Sequence, residues 1–316
     1  MPTSVSASEA RTVSPNRYLL IANPAAKHGV TGEMLPAVRK LLDGILDYDL
    51  ISSTEPRHAM TLARDATGYD TIITVGGDGT VHEVLNGLMQ RDPAERPAMA
   101  VLPTGSGNDY ARTLGMSFDL STAIRQIVTG TRKRVDVGLC NGHHFANSMA
   151  IGLDARVTAK AVELKVTTGW SGIWLYTRAL MYVLFNQFYS HHVSVTIDDG
   201  ETAEMDIMIV ALTNGPTYGG GFKITPDAIG DDGLLDVCIL DKLSLLSALW
   251  RLPFLVIGKH TKMKPVHMMR AEHLVLCSER PIEGQIDGET MIENTYDVSV
   301  LPGALEVVVP CDYDRD

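Results

Sequence analysis

The sequence lacks any uninterrupted apolar run long enough to cross a membrane. Its most apolar stretch, Trp170–Tyr189, is broken by Arg178, Asn186 and Gln187. A span needs about 20 predominantly apolar residues, so a buried or amphipathic helix is expected there. Cysteine is scarce: Cys140, Cys238, Cys277 and Cys311 are widely spaced, with no C-x-x-C pair. That spacing argues against a disulfide or zinc framework and reads as reduced thiols of a cytoplasmic protein. Positive charge is in deficit, with 27 Lys and Arg against 38 Asp and Glu and a net charge of −11. A nucleic-acid binder would show a basic face, so no nucleic acid is expected as a partner. H-E-x-x-H is missing, and His82 and the pairs His143-His144 and His191-His192 are read as non-ligands. The first 16 residues, MPTSVSASEARTVSPN, have no apolar core, so they are expected to be a disordered lead-in rather than a signal peptide. Residues 312–316 are expected to be a tail.

What is present is an ordinary globular composition, 45% hydrophobic and 21% charged over 316 residues, enough for two domains. Strands at Tyr18–Ala22, Tyr48–Ser52, Thr71–Val75 and Ala98–Leu102 alternate with helices at Thr31–Leu46 and Pro56–Ala66 and a helix after Thr80. That alternation predicts a doubly wound parallel sheet with helices on both faces, over residues 17–134. From residue 135 to 311 the pattern turns antiparallel. Val135–Leu139 and His144–Ser148 flank Asn141-Gly142, a hairpin signal. Further strands are expected at His192–Ile197, Met205–Leu212, Leu234–Leu240, His273–Cys277, Val298–Leu301 and Leu305–Val309, with a helix at Ser244–Gly258. A β-sandwich or flattened barrel follows, its last strand free to return to the first domain. The fold class is α/β followed by an antiparallel β-sandwich.

Ligands of parallel sheets bind beyond the carboxyl ends of the strands. Three loops leave strand ends here: Asn23–Gly29, Gly76–Thr80 and Thr104–Asp109. The second, Gly76-Gly77-Asp78-Gly79-Thr80, has the glycines of a phosphate cradle but a carboxylate at its centre. Glycines let backbone N–H groups approach phosphates, and Thr80 can donate its hydroxyl, whereas Asp78 repels them. A Mg²⁺ between Asp78 and the phosphates reconciles the two. The alternative is that Asp78 caps the next helix.

Gly76–Thr80 with Glu83, Asn86 and Gly87 resembles the nucleotide motif of the diacylglycerol kinase catalytic superfamily. Thr104-Gly105-Ser106-Gly107-Asn108-Asp109 resembles its second loop, and Gly219-Gly220-Gly221-Phe222 with Asp231-Asp232-Gly233-Leu234 a third signature. Asp287-Gly288-Glu289 resembles its acidic catalytic tripeptide. The resemblance is greatest to soluble bacterial lipid kinases, and implies transfer of a phosphoryl group from ATP, with Mg²⁺, to a hydroxyl of diacylglycerol or a related lipid. It implies nucleotide contacts at Asn23, Pro24, Lys27, Ser53, Thr54, Gly76, Gly77, Asp78, Gly79, Thr80, Glu83, Asn86, Thr104, Gly105, Ser106 and Asp109. It implies a second Mg²⁺ at Asp232 and the carbonyls of Ile229 and Leu234, and substrate contacts at Asp154 and Lys165. The first loop, Asn23-Pro24-Ala25-Ala26-Lys27-His28-Gly29, has the family's glycine and lysine displaced, which leaves the role of Lys27 open.

In Asp287-Gly288-Glu289, an extended segment would place both carboxylates on one side, while a D-G hairpin turn is the plainer reading of five residues. The resemblance implies Glu289 as proton acceptor, with Asp287 orienting it or assisting the metal. Two other functions stay open: an NAD-kinase-like enzyme on a soluble substrate, and a non-catalytic lipid- or nucleotide-binding module. The expected partner is a lipid at the inner face of the membrane, met transiently, with a homodimer left open. Candidate basic docking clusters are Arg132-Lys133-Arg134 and Lys259, His260, Lys262 and Lys264.

Overall fold

The computed structural model describes residues 16–170 and 173–313. The expected lead-in, apart from Asn16, and the last three residues of the expected tail lie outside them. In the first half the chain runs β1 (Arg17–Ala22), α1 (Val30–Leu42), β2 (Asp47–Ser52), α2 (His58–Asp65), β3 (Thr71–Gly76), α3 (Asp78–Met89), β4 (Ala98–Pro103), α4 (Asp109–Thr113) and α5 (Leu120–Thr129). All residues of β3 and β4 are buried, as strands covered on both faces by helices require. The four strands are parallel in the order β2-β1-β3-β4. Helix α1 stops four residues before the expected Leu46. Asp43 leaves helical angles (φ −57°, ψ 125°), and Gly44 follows at φ 78°, a left-handed turn that glycine adopts without strain.

The second half runs β5 (Thr131–Cys140), β6 (His143–Phe145), β7 (Ser148–Gly152), α6 (Leu153–Thr168), α7 (Ile173–Asn186), β8 (His191–Ile197), β9 (Ala203–Thr213), β10 (Leu235–Asp241), α8 (Leu245–Val256), β11 (Val266–Ala271), β12 (His273–Ile286) and β13 (Glu289–Val309). The boundary expected between residues 134 and 135 falls inside β5. The β5–β6 hairpin turns at Asn141 and Gly142, both at positive φ, as a two-residue loop between right-twisted strands demands. The strands expected separately at Val298–Leu301 and Leu305–Val309 are one strand. A register shift against β5 between Leu301 and Leu305 absorbs Pro302 and Gly303 as a bulge.

Strand β13 ties the halves together. Its start pairs with β12, its later part antiparallel with β5, and Val307 pairs in parallel with Met99 of β4. The antiparallel strands close over a core that includes Phe145, Ile151, Val193, Val210, Leu276 and Tyr296. On the other face of β7, β9 and β10, helices α6, α7 and α8 pack through Leu153, Val157, Ala179, Val183, Leu249 and Leu252.

Candidate active site

Two glycine loops meet beyond the ends of β3 and β4. A Cβ built on Gly105 would lie 2.2 Å from the Cα of Gly77, so the loops touch backbone to backbone, a distance only glycine permits. Asp78 fastens them. Its Oδ2 accepts the Asn108 N–H at 2.7 Å and its Oδ1 the Asp109 N–H at 2.8 Å. The capping reading of Asp78 is thus partly right, but the N–H groups it satisfies belong to α4, not to its own helix α3. Thr80 is buried beneath Gly76, and Thr104 Oγ1 accepts from Thr31 Oγ1 at 2.9 Å.

Across the cleft, Asp287 and Gly288 form the two-residue turn between β12 and β13, with Ile286 paired to Glu289 and φ values of 47° and 94°. Of the two readings of Asp287–Glu289, the tight hairpin turn is the one present and the extended segment is not, both central residues being left-handed. The two carboxylates consequently have different surroundings. Asp287 accepts N–H bonds from Ala146, Asn147 and Ser148 at 2.7–3.1 Å, with His82 Nδ1 3.6 Å away. Glu289 is exposed and faces the Gly76–Thr80 loop, its Oε1 lying 3.9 Å from where a Cβ on Gly79 would stand.

Between these walls lies a cleft bordered by Asp78, Asp109, Asp287, Tyr176, Tyr218 and Gln285. Desolvation raises the Asp78 carboxyl, and the charge of Asp287 adds to it, against the N–H bonds that hold it down. Burial, then the charge of Asp78, pushes Asp109 up to about 6. Asp109 Oδ2 accepts from Gly220 N–H at 2.7 Å, while its Oδ1 is buried without a hydrogen bond. For His82, burial lowers the pKa, but the negative charge of Asp287, 3.6 Å away, outweighs it and the net shift is upward. Two desolvated carboxylates, one with an orphaned oxygen, are a donor set that fits Mg²⁺, which kinase sites hold by one or two carboxylates plus phosphate oxygens.

The cleft continues into a second cavity that opens to solvent. Its walls are aliphatic and aromatic, with Leu180 and Leu184 from α7, Met208 and Ile209 from β9 and Leu252 and Leu255 from α8. Thr158, Tyr176, Tyr218 and Gly219 border both spaces and form the passage between them. Asp154 stands at this passage, where desolvation pushes its carboxyl up to about 6. Because that value lies above the 3.8 of an unfolded Asp, the native state binds the extra proton. Its stabilising effect is full below pH 3.8 and is lost as pH rises through 6, at a cost on the order of 3 kcal/mol. Asp154→Asn is therefore expected to melt higher than the parent at pH 8 and level with it near pH 4. Equal differences at both pH values would show that Asp154 is solvated and charged throughout.

Several residues expected at the nucleotide do other work. Glu83 accepts from the Arg57 and Ala59 N–H groups and so caps α2. Asn86 is spent on the backbone of His82 and His144, clamping α3 to β6. Thr54 Oγ1 lies 3.0 Å from His58 Nδ1, and Asn23 Oδ1 accepts from Ala25 N–H. Ser53 N–H donates to Ala22. Pro24 packs on Gly32, Lys27 is exposed, and the Ser106 hydroxyl is buried without a partner. Lys165 is eleven residues along α6 from Asp154, about 16 Å at 1.5 Å per residue, so it is corrected to the far end of that helix.

The residues expected at a second Mg²⁺ lie in the turn before β10. Asp232 Oδ1 accepts from Leu234 N–H, and Oδ2 pairs with Arg270 Nη1 at 3.2 Å, while Arg270 Nε reaches Asp236 at 3.4 Å. The Arg270 guanidinium stands beside the Ile229–Leu234 turn, and Asp236 Oδ2 there is buried without a hydrogen bond. Among the described residues no group of three His, Cys, Asp or Glu is placed to hold a metal. His82, Tyr176, Tyr218 and Thr158 were not singled out as site residues from sequence. Only Tyr218, next to the triple glycine, and His82, in the first turn after Gly79, carried a positional hint.

A nucleotide-type parallel sheet, two glycine loops and an acidic cleft shared with a β-sandwich define a phosphoryl-transfer enzyme. Residues 17–140 match the diacylglycerol kinase catalytic domain, and residues 147–309 the YegS C-terminal NAD kinase beta sandwich-like domain. Diacylglycerol kinase of Bacillus subtilis (strain 168) is 30% identical over 244 residues, covering 73% of this chain and 78% of the relative. Diacylglycerol kinase of Staphylococcus saprophyticus is 30% identical over 223 residues, 70% of each chain. A solved Bacillus anthracis structure assigned to the diacylglycerol kinases superimposes with a TM-score of 0.78 at 27% identity, covering 93% of this chain and 97% of that one. An Archaeoglobus fulgidus NAD kinase, at 11% identity and a TM-score of 0.52, shares the fold. The chain belongs to the lipid kinase family built from a diacylglycerol kinase catalytic domain and a YegS-type β-sandwich, and is a kinase.

Proposed function

We propose that the protein transfers the γ-phosphoryl group of ATP, with Mg²⁺, to a hydroxyl of diacylglycerol or a closely related lipid. The observation that carries this reading is the apolar cavity opening through Tyr176 and Tyr218 onto the acidic cleft. Acyl chains fill the cavity, and the head-group hydroxyl stands at the passage beside Asp154. The glycine loops receive the phosphates on their backbone N–H groups. Asp78 and Asp109 would hold Mg²⁺, which neutralises phosphate charge when bound. The acceptor oxygen attacks phosphorus, its proton passes to Glu289, and the bond to ADP breaks. Asp287, committed to three N–H groups, positions the turn that carries Glu289.

An NAD-kinase-like enzyme acting on a soluble substrate has no use for this cavity, and a non-catalytic module has none for a free Glu289 beside paired carboxylates. Ala248 lines the cavity from α8. Ala248→Trp is expected to lower turnover of a long-chain diacylglycerol about tenfold or more, leaving ATP affinity and turnover of a six-carbon-chain acceptor unchanged. Equal loss on both acceptors, or on neither, would remove the cavity from the substrate path.

A further inference from the structure

We propose that the outer faces of α7 and α8 form a docking surface for an anionic lipid bilayer, and that this surface surrounds the mouth of the apolar cavity. The inference rests on the lipid-kinase reading for its purpose but on separate observations for its substance.

The protein has three tryptophans, Trp170, Trp174 and Trp250, and all three are exposed. Trp174 keeps 75% of its surface in solvent, Trp250 63% and Leu246 81%. These are not scattered. On α7 the exposed residues Trp174, Arg178, Tyr182 and Phe185 follow one another at steps of four, four and three. On α8 and its end, Leu246, Trp250, Pro253 and Ile257 follow at four, three and four. Each set is one helical stripe. A helix that packs on a core turns its polar stripe outward, and here the outward stripes are aromatic and aliphatic. Both helices also line the apolar cavity with their inner sides. Tryptophan and tyrosine favour the membrane–water boundary because the rings are apolar with one polar edge.

Charge selects the occupant. The segments 164–197 and 242–271 contain none of the 38 acidic residues and eight of the 27 Lys and Arg, of which Lys242 pairs with Asp206 and Arg270 with Asp232 and Asp236. Arg178 stacks over Trp170 and Arg251 over Trp250, so cations stand beside the aromatic rings. Lys259, Lys262 and Lys264 are exposed just past α8. His260 is buried and hydrogen-bonded to Ile224, so it leaves the expected cluster. The other cluster is spent inside the protein: Arg132 pairs with Glu306, Lys133 with Asp231, and Arg134 bonds to Gly303. An aromatic and basic face within a chain of net charge −11 complements anionic lipid. A two-fold dimer through the same face would set like charges against each other.

The test uses vesicles of phosphatidylglycerol and phosphatidylcholine without any acceptor lipid. Tryptophan emission of the parent should shift to the blue on vesicle addition, and the protein should sediment with them less at 1 M salt than at 0.1 M. Leu246→Ser with Trp250→Ser, and separately Trp174→Ser, should each cut the bound fraction at least tenfold while keeping turnover of a soluble six-carbon-chain diacylglycerol. Lys259→Glu, Lys262→Glu and Lys264→Glu together should abolish the salt-sensitive part. Unchanged sedimentation of both hydrophobic variants would overturn the assignment. So would a parent dimer in light scattering that these variants split while vesicle binding persists. Vesicle binding without phosphoryl transfer to any lipid would reject the kinase reading and leave the surface standing.

Discussion

Asp78→Asn should lose phosphoryl transfer by at least about a hundredfold, and its ATP affinity in Mg²⁺ should fall with it, while its melting temperature changes little. The size follows from removing one pre-set electrostatic partner of the transferred group, which costs about 10²–10³ in rate. The stability outcome follows from the environment. Desolvation and the neighbouring charge of Asp287 raise the Asp78 carboxyl, so the charged form strains the folded state at neutral pH and a neutral amide relieves it. Asparagine keeps one acceptor oxygen for one of the Asn108 and Asp109 N–H groups and turns its amide N–H toward the other, which offsets that relief. Asp78→Ala offers none and leaves buried donors unpaired, at about 1–3 kcal/mol, so glycines alone do not set this turn. Turnover kinetics, nucleotide titration and thermal melts of the two variants check this. An active Asp78→Asn with normal ATP affinity would remove the metal-holding role.

Glu289→Gln should reduce turnover by about 10²–10⁴, the range of a lost general base, with ATP affinity nearly unchanged. Glu289 is exposed beside the Gly79 turn, with lone pairs free to accept a proton. The oxygens of Asp287 already take three N–H bonds, so Asp287→Asn should damage stability together with turnover. Single-turnover kinetics and melts of both variants separate the roles. A fully active Glu289→Gln beside a folded, dead Asp287→Asn would exchange the assignments.

In the parallel half β3 and β4 were legible because they are continuous β-branched or apolar runs ended by Gly-Gly or Pro-Thr-Gly, and each signal is local. The carboxylates of the cleft were legible for the same reason, since each sits in a glycine turn. Three features were not. Helix α6 follows β7 with a single left-handed Gly152 between them, so no loop marked its start, and its polar positions Arg156 and Thr158 are buried. The passage residues Tyr176 and Tyr218 come from α7 and from the loop after β9, and only the tertiary packing brings them together. Glu83 and Asn86 were misread because a carboxylate or amide on the first turns of a phosphate helix looks the same whether it faces a nucleotide or a neighbouring helix end.

The central claim is phosphoryl transfer to a lipid hydroxyl. The most direct measurement incubates the protein with γ-labelled ATP and Mg²⁺ against dispersed diacylglycerol, monoacylglycerol, sphingosine and phosphatidylglycerol, and separately against NAD, then partitions label between chloroform and water. The account predicts label in the organic phase, as a phosphorylated diacylglycerol or close relative, and its loss in Glu289→Gln. Label carried only by NAD in the aqueous phase, or transfer to no acceptor at all, would contradict it.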